Sequence, residues 1–305
     1  MKLRRYAALI LCAVLLAAMA PRAEAAQMFT TPVIYWVSSL SGTALKVYWH
    51  PSTGAVGIEY MVERAPAAAG PWAVAKMSTT LTEFTNYFLT PGTAYFFRVT
   101  ASREIMPGIW ASSPPSKVVG GVPLAKPTGV AVTPVSSSVF RVSWNAVPHA
   151  TGYGIFRGLS KTGPFTFVGS TTALSKQIFG HTPGVFYYYF VWGTKTIGSA
   201  TYTGAPASAQ GITFAVPAIS GIVSAGAMKA KVTWGAIAGA TGYELWRRKG
   251  SSGAFSLAYT GSLASFTDAG LTPGAAYHYR VRPFRRVFSV NYYGLYSPVK
   301  TYTVP

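Results

Sequence analysis

The chain has 305 residues, with 26 Lys and Arg against 7 Asp and Glu, a formal charge of +19, and a single cysteine. One cysteine excludes a disulfide framework and cysteine-bound zinc, so any fold must rest on an apolar core. The excess of cations favours anionic partners: wall polymers, acidic glycans, nucleic acid or lipid headgroups.

In chain order, Lys2, Arg4 and Arg5 precede an apolar run from Tyr6 to Met19, and Ala23-Glu24-Ala25 follows as a small-x-small cleavage pattern. The pattern predicts a secretory signal peptide over residues 1–25. The run is shorter than the roughly 20 residues of a spanning helix. Cys12 follows Leu11 where a lipoprotein signal would carry a small residue, so lipidation there is not expected. Removing the signal takes away Lys2, Arg4, Arg5, Arg22 and Glu24, leaving 22 basic and 6 acidic residues, a formal +16, and no cysteine. No later apolar run reaches spanning length, and the final "TYTVP" carries no sorting signal or hydrophobic tail. The expectation is a secreted, extracellular protein with no transmembrane span, free or held at a cell surface.

A repeat then organises the rest. Trp49, Trp144 and Trp234 each lie 17 residues after a proline, Pro32, Pro127 and Pro217. Each tryptophan is followed by a Tyr and an Arg four residues apart, Tyr60 and Arg64, Tyr153 and Arg157, Tyr243 and Arg247. A glycine comes six residues later, at Gly70, Gly163 and Gly253. Then come "LTPGTAY", "HTPGVFY" and "LTPGAAY", ending on Tyr95, Tyr187 and Tyr277. The spacing between tryptophans, 95 and then 90 residues, is that of domains rather than of a solenoid. "KVYW", "RVSW" and "KVTW" alternate with period two, as do "YFFRV", "YYYFV" and "YHYRV", which predicts half-buried strands bounded by Gly, Pro, Ser and Thr clusters and no helix after the signal.

Together the second-strand tryptophans, the third-strand "EYMVER", "GYGIFR" and "GYELWR", and the Thr-Pro-Gly-x-x-x-Tyr segments resemble fibronectin type III domains. The third repeat is especially similar to those of secreted bacterial surface proteins. The resemblance implies an all-β chain of three tandem seven-stranded immunoglobulin-like sandwiches, over residues 30–122, 125–214 and 215–305, after the signal peptide. It also gives Thr-Pro-Gly-x-x-x-Tyr a structural role, a tyrosine bonded back across the preceding turn. His181 stands where the other repeats have leucine, and "QIFG" where the third has "FTDAG". The proline-bearing linkers "GGVPLAKP" and "TFAVPA" predict limited hinge motion and an extended rod.

Catalytic chemistry is sparse. His50, His149, His181 and His278 fall at different places in the repeat frame, the first three in turns. The carboxylates after the signal are Glu59, Glu63, Glu83, Glu104, Glu244 and Asp268, none of them in the second repeat, and Asp268 reads as a local backbone acceptor in its turn. No phosphate loop, zinc-protease or nucleophile-elbow motif occurs. Nor does an Arg-Gly-Asp tripeptide, so integrin binding does not carry over from adhesive relatives of the fold. No enzyme, cofactor, metal site or dedicated nucleic-acid motif is expected.

Strand parity selects the outward residues instead. The first repeat presents Met61, Glu63, Phe96 and Arg98. The second presents an aromatic patch, Phe156, Tyr188, Phe190 and Trp192. The third presents Glu244, Trp246, Arg248, His278, Arg280 and Arg282, with Arg285 and Arg286 continuing toward the next loop. Net charge climbs from +2 over 26–122 to +6 over 123–214 and +8 over 215–305. The reading is a secreted, non-enzymatic binding or adhesion protein, its partner an extracellular polyanion or glycan or a surface protein. Arg248, Arg280, Arg282, Arg285, Arg286 and Trp246 are the candidate ligand contacts. The alternatives are a structural subunit that self-associates through the aromatic patch, and a carbohydrate-binding protein that uses the patch for stacking.

Overall fold

A computed structural model describes residues 29–305; the expected signal peptide, with Cys12, lies outside the described residues. Every element among the described residues is a strand. The first repeat forms β1 (Val33–Ser41), β2 (Ala44–His50), β3 (Glu59–Ala65), β4 (Ala73–Lys76), β5 (Glu83–Asn86), β6 (Tyr95–Met106), β7 (Ile109–Ser112) and β8 (Val119–Gly121). The second forms β9 (Ala131–Pro134), β10 (Phe140–Ser143), β11 (Gly152–Gly158), β12 (Phe165–Thr171), β13 (Ser175–Ile178), β14 (Phe186–Ile197), β15 (Ala200–Thr203) and β16 (Ala207–Ile212). The third forms β17 (Ile219–Ser224), β18 (Lys229–Trp234), β19 (Gly242–Lys249), β20 (Ser256–Gly261), β21 (Ser265–Ala269), β22 (Ala276–Val287), β23 (Val290–Tyr293) and β24 (Lys300–Thr303).

Each set makes the same two sheets. A three-stranded sheet, β1-β2-β5 in the first set, faces a sheet of order β4-β3-β6-β7 in which β8 also pairs with β6. The order recurs as β13-β10-β9 with β12-β11-β14-β15 and β16, and as β17-β18-β21 with β20-β19-β22-β23 and β24. Strands β7 and β8 are two halves of one seventh strand, interrupted by prolines that cannot donate to the ladder. Around Pro114 and Pro115, the hydroxyls of Ser113 and Ser116 accept the N–H groups of Ala101 and Val99 instead, at 3.1 and 3.0 Å. Ser297 does the same for Val281 at 3.1 Å. These are the sheets and strand order of a fibronectin type III sandwich, three times over. By compactness the chain divides into two units, one holding residues to 127 with 146–153 and 192–206, the other 128–145, 154–191 and 207–305.

The repeat residues are the core. Trp49, Val47, Phe97 and Val99 are buried in the first sandwich, and Trp234, Val232, Tyr279 and Val281 in the third. Trp144, Val142, Tyr189 and Val191 are their buried counterparts in the second. Trp49 meets Tyr60 edge to face at 5.6 Å and Trp234 meets Tyr243 at 5.7 Å, a preferred aromatic geometry. The hydroxyls of Tyr60, Tyr153 and Tyr243 then accept the N–H of Ser52, Val147 and Ile237, at 2.9, 2.9 and 2.8 Å, fixing the loop that follows each tryptophan.

The Thr-Pro-Gly turn closes as the resemblance implied. Tyr95, Tyr187 and Tyr277 accept from the N–H of Thr90, Thr182 and Thr272, at 3.0, 3.0 and 3.2 Å. The turn glycines Gly92, Gly184 and Gly274 have φ of 72°, 85° and 73°, in the left-handed region that a Cβ disfavours. Below each corner the repeat's arginine lies against the tyrosine ring and bonds a neighbour. Arg64 donates to Asn86 and Arg157 to the Phe179 carbonyl, at 3.0 and 3.1 Å, and Arg247 pairs with Asp268.

Two residues read as turn polar groups are core residues. Asp268, 4% exposed on β21, accepts from Arg247 and, at 2.8 Å, from the Tyr279 hydroxyl rather than from local backbone. Burial, with Asp268 alongside, pushes the Tyr279 hydroxyl well up. His181 fills the buried site of Leu89 and Leu271. Its Nδ1 lies 3.0 Å from the Ser138 carbonyl, so Nδ1 carries the proton and Nε2 accepts from the Tyr189 hydroxyl.

Two outcomes test this core. Trp234→Ala should cost about 3 to 5 kcal/mol in urea unfolding of the third sandwich, through lost burial and the cavity left behind. Burial holds His181 below its ordinary value; the hydrogen bond to the Ser138 carbonyl opposes it, and the Arg157 charge adds a smaller push in the same direction as burial. The stability this confers is present above about pH 6.5, the free histidine value, and is lost as pH falls from there toward the folded value. The chain should therefore melt lower at pH 5 than at pH 7, and His181→Leu with Tyr189→Phe, which installs the Leu89 and Phe97 pair of the first sandwich, should shrink that difference.

Candidate functional site

The outward face of the five-stranded sheet is the place where the three sandwiches differ. Corner tyrosines fix the parity of β6, β14 and β22, so the residue three positions on points outward: Arg98, Phe190 and Arg280. Each is covered by an aromatic residue two positions after the repeat glycine. Arg98 lies 4.4 Å over the Trp72 ring, Phe190 is 4.4 Å from Phe165, and Arg280 is 4.2 Å over Phe255. The covering residues were legible as "GPW", "GPF" and "GAF", an aromatic at fixed spacing, but strand parity alone does not select them.

In the third sandwich this contact extends into a ladder. The pairing of β19 with β22 sets Glu244 opposite Arg282, Trp246 opposite Arg280 and Arg248 opposite His278. Arg280 lies 4.0 Å over the Tyr296 ring, and Arg282 lies 4.9 Å from the same ring and 3.9 Å over that of Tyr293. Arg248 shares the Phe255 ring at 4.8 Å. Guanidinium planes and rings thus alternate along the strand, an arrangement attractive through the ring quadrupole and suited to a planar cation. Among the described residues, Arg282 alone of these three is ion-paired. Its Nε and a terminal nitrogen reach Glu244 at 2.9 and 2.7 Å, and Trp246 Nε1 donates to the same carboxylate at 3.0 Å. Glu244 is outward by parity yet buried beneath these donors.

Of the six residues expected to act together, the structure brings Arg248, Arg280, Arg282 and Trp246 onto one face. Arg286 is exposed further along the same parity. Phe284 occupies the outward position between them because Gly242, its partner across the ladder, has no side chain to oppose it. Arg285 therefore points the other way, its guanidinium 5.2 Å over Phe186 within the second compact unit. Tyr293 and Tyr296 were missed as site residues, although "YYGLYSP" contains both.

In the second sandwich Phe156, Tyr188, Phe190 and Trp192 sit half-buried at the expected parity. Phe165 and Phe167 of β12 join them, Phe167 lying 5.1 Å from Phe156 while remaining 54% exposed. On the outward face of the first sandwich's five-stranded sheet Arg98 is closed by Glu63 at 2.7 and 2.9 Å, which raises the Arg98 guanidinium above its ordinary value. Among the described residues no group of three or more His, Cys, Asp or Glu could hold a metal ion, and no helix is long and apolar enough to cross a membrane.

No family model matches the chain. It is similar to exoglucanase B of Cellulomonas fimi, 32% identical over 174 residues that cover 51% of this chain and 15% of that protein. Endoglucanase B of Cellulomonas fimi is 27% identical over 248 residues, 75% of this chain and 23% of that one. A poly(3-hydroxybutyrate) depolymerase of Ralstonia pickettii is 43% identical over 65 residues, 21% of this chain and 12% of that one. The chain thus spans less than a quarter of the length of these curated relatives. Among solved structures, the FN1–FN3 domains of chicken CNTN1 match at 16% identity and a TM-score of 0.37, over 90% of this chain and 98% of that one. A two-domain fibronectin type III segment of chicken tenascin matches at 19% identity and a TM-score of 0.29, over 60% and 99%.

Removing the ladder's one ion pair separates its parts. Arg282→Met should destabilise the third sandwich by about 2 kcal/mol, because Glu244 is left poorly solvated and without its cation. Adding Glu244→Gln should recover part of that loss in the same urea titration.

Proposed function

We propose that this chain is a secreted, non-catalytic binding protein or module whose third sandwich holds an extracellular polyanion on the arginine ladder. One observation carries the reading. Arg248 and Arg280 lie against aromatic rings and, among the described residues, neither is in an ion pair, and Arg286 stands exposed at the end of the same face. Rings that hold a guanidinium without neutralising it leave its charge available to an outside anion. They also restrict the side chain beforehand, which lowers the ordering cost of binding. Phosphate and carboxylate oxygens suit the planar donors.

The relatives support a binding part in a coarser way. Each is named for acting on a polymer, and the similarity covers a minor share of each. The first sandwich is arranged differently, since Glu63 closes Arg98 internally. The second offers rings in place of charge, so its face serves apolar or stacking contact rather than anion binding.

On a heparin column the full chain should elute at a salt concentration that falls when Arg248, Arg280 and Arg286 become Gln, as expected where bound cations release counterions. Lys126, Lys161 and Lys195→Gln removes the same charge elsewhere and should shift elution less. Equal shifts would mean that net charge, not this face, does the binding.

A further inference from the structure

A second feature lies on the outward face of the first sandwich, away from the arginines. Met61 of β3, Met77 beyond β4 and Trp110 of β7 line a shallow pocket of ≈ 290 Å³ whose polar groups include Glu59, Ser78 and Ser102. We infer that this pocket binds an uncharged sugar ring of a polysaccharide, stacked on Trp110.

Trp110 is 49% exposed, so part of its ring surface is open to solvent, and the C–H face of a pyranose is the apolar surface that such a ring accepts. Met61 and Met77 supply adaptable apolar contact at the sides. Glu59 supplies the orienting group. Glu63, Glu83, Glu244 and Asp268 are all ion-paired, whereas Glu59 is held by the Ser78 hydroxyl at 2.5 Å and takes part in none of these pairs. A carboxylate has about four acceptor sites, so capacity remains for sugar hydroxyls, and the serine hydroxyls can donate or accept. Among the described residues, no lysine or arginine lines the pocket. An anionic sugar would meet Glu59 without a countercharge, so the fit is to a neutral ring. The volume suits one ring with the polymer running past in solvent. This inference does not rest on the arginine ladder.

The test uses the full chain in native affinity gels with soluble β-glucan, xylan and galactomannan, each neutral or nearly so. At least one should retard the protein, and about 0.5 M NaCl, which screens exposed charges beyond a few ångströms, should leave the retardation intact. Trp110→Ala and Glu59→Gln should each weaken apparent affinity by about tenfold or more, with the urea midpoint of the first sandwich unchanged, while Trp110→Tyr keeps the stacking ring and most of the binding. The Arg248, Arg280 and Arg286→Gln variant should bind these sugars as the parent does. Absence of retardation by all three polysaccharides, or a Trp110→Ala protein that binds like the parent, overturns the inference. So would retardation that salt abolishes, since it would report charge alone.

Discussion

The hydrogen bond from a threonine N–H to the corner tyrosine hydroxyl is the constraint on which each sandwich depends. It ties the start of the sixth strand to the turn before it, while a glycine at positive φ lets the chain reverse there. Because side chains alternate along a strand, fixing one tyrosine inward fixes every later position. Phe97, Tyr189 and Tyr279 then enter the core two residues on, and Arg98, Phe190 and Arg280 face outward one residue after those. A slip of one residue would bury the guanidiniums and expose the core, which is why the register is so strongly specified.

Beneath the corner, the three repeats satisfy one buried polar position in different ways. An arginine lies against the tyrosine ring in each. Its partner is the Asn86 amide in the first sandwich, the Phe179 carbonyl in the second and the Asp268 carboxylate in the third. The Tyr279 hydroxyl shares Asp268, the Tyr189 hydroxyl uses His181, and the first sandwich has Phe97, which needs no partner. Both tyrosine hydroxyls at this position, Tyr189 and Tyr279, are matched by an acceptor, as a polar group removed from water requires. The second sandwich is the one whose acceptor is a histidine, held below its ordinary value chiefly by burial, so this contact weakens as pH falls.

One scaffold thus presents three chemistries. A ring from the start of the fourth strand covers the same outward position each time, and what it covers decides the face: a neutralised arginine, a phenylalanine, or the first rung of a ladder of arginines. The covering rings belong to the fold, and the charge balance around them is what varies. Function on such a fold lies in these faces rather than in the sandwich.

The sequence by itself determined the all-β class, the three repeats, the inward tryptophans and the corner tyrosines, because period-two alternation and turn chemistry are local and are written residue by residue. It also determined which strand positions face outward. It did not show that Asp268 and His181 are core acceptors, since both follow strand-like or turn-like segments and their partners, Arg247, Tyr279, Ser138 and Tyr189, lie on other strands. Nor did it show that Phe255, Tyr293 and Tyr296 interleave with Arg280 and Arg282, or that Arg285 turns away. Those contacts depend on how neighbouring strands are brought side by side and on Phe284 taking the space left by Gly242, and only the tertiary structure decides which side chains meet across that distance.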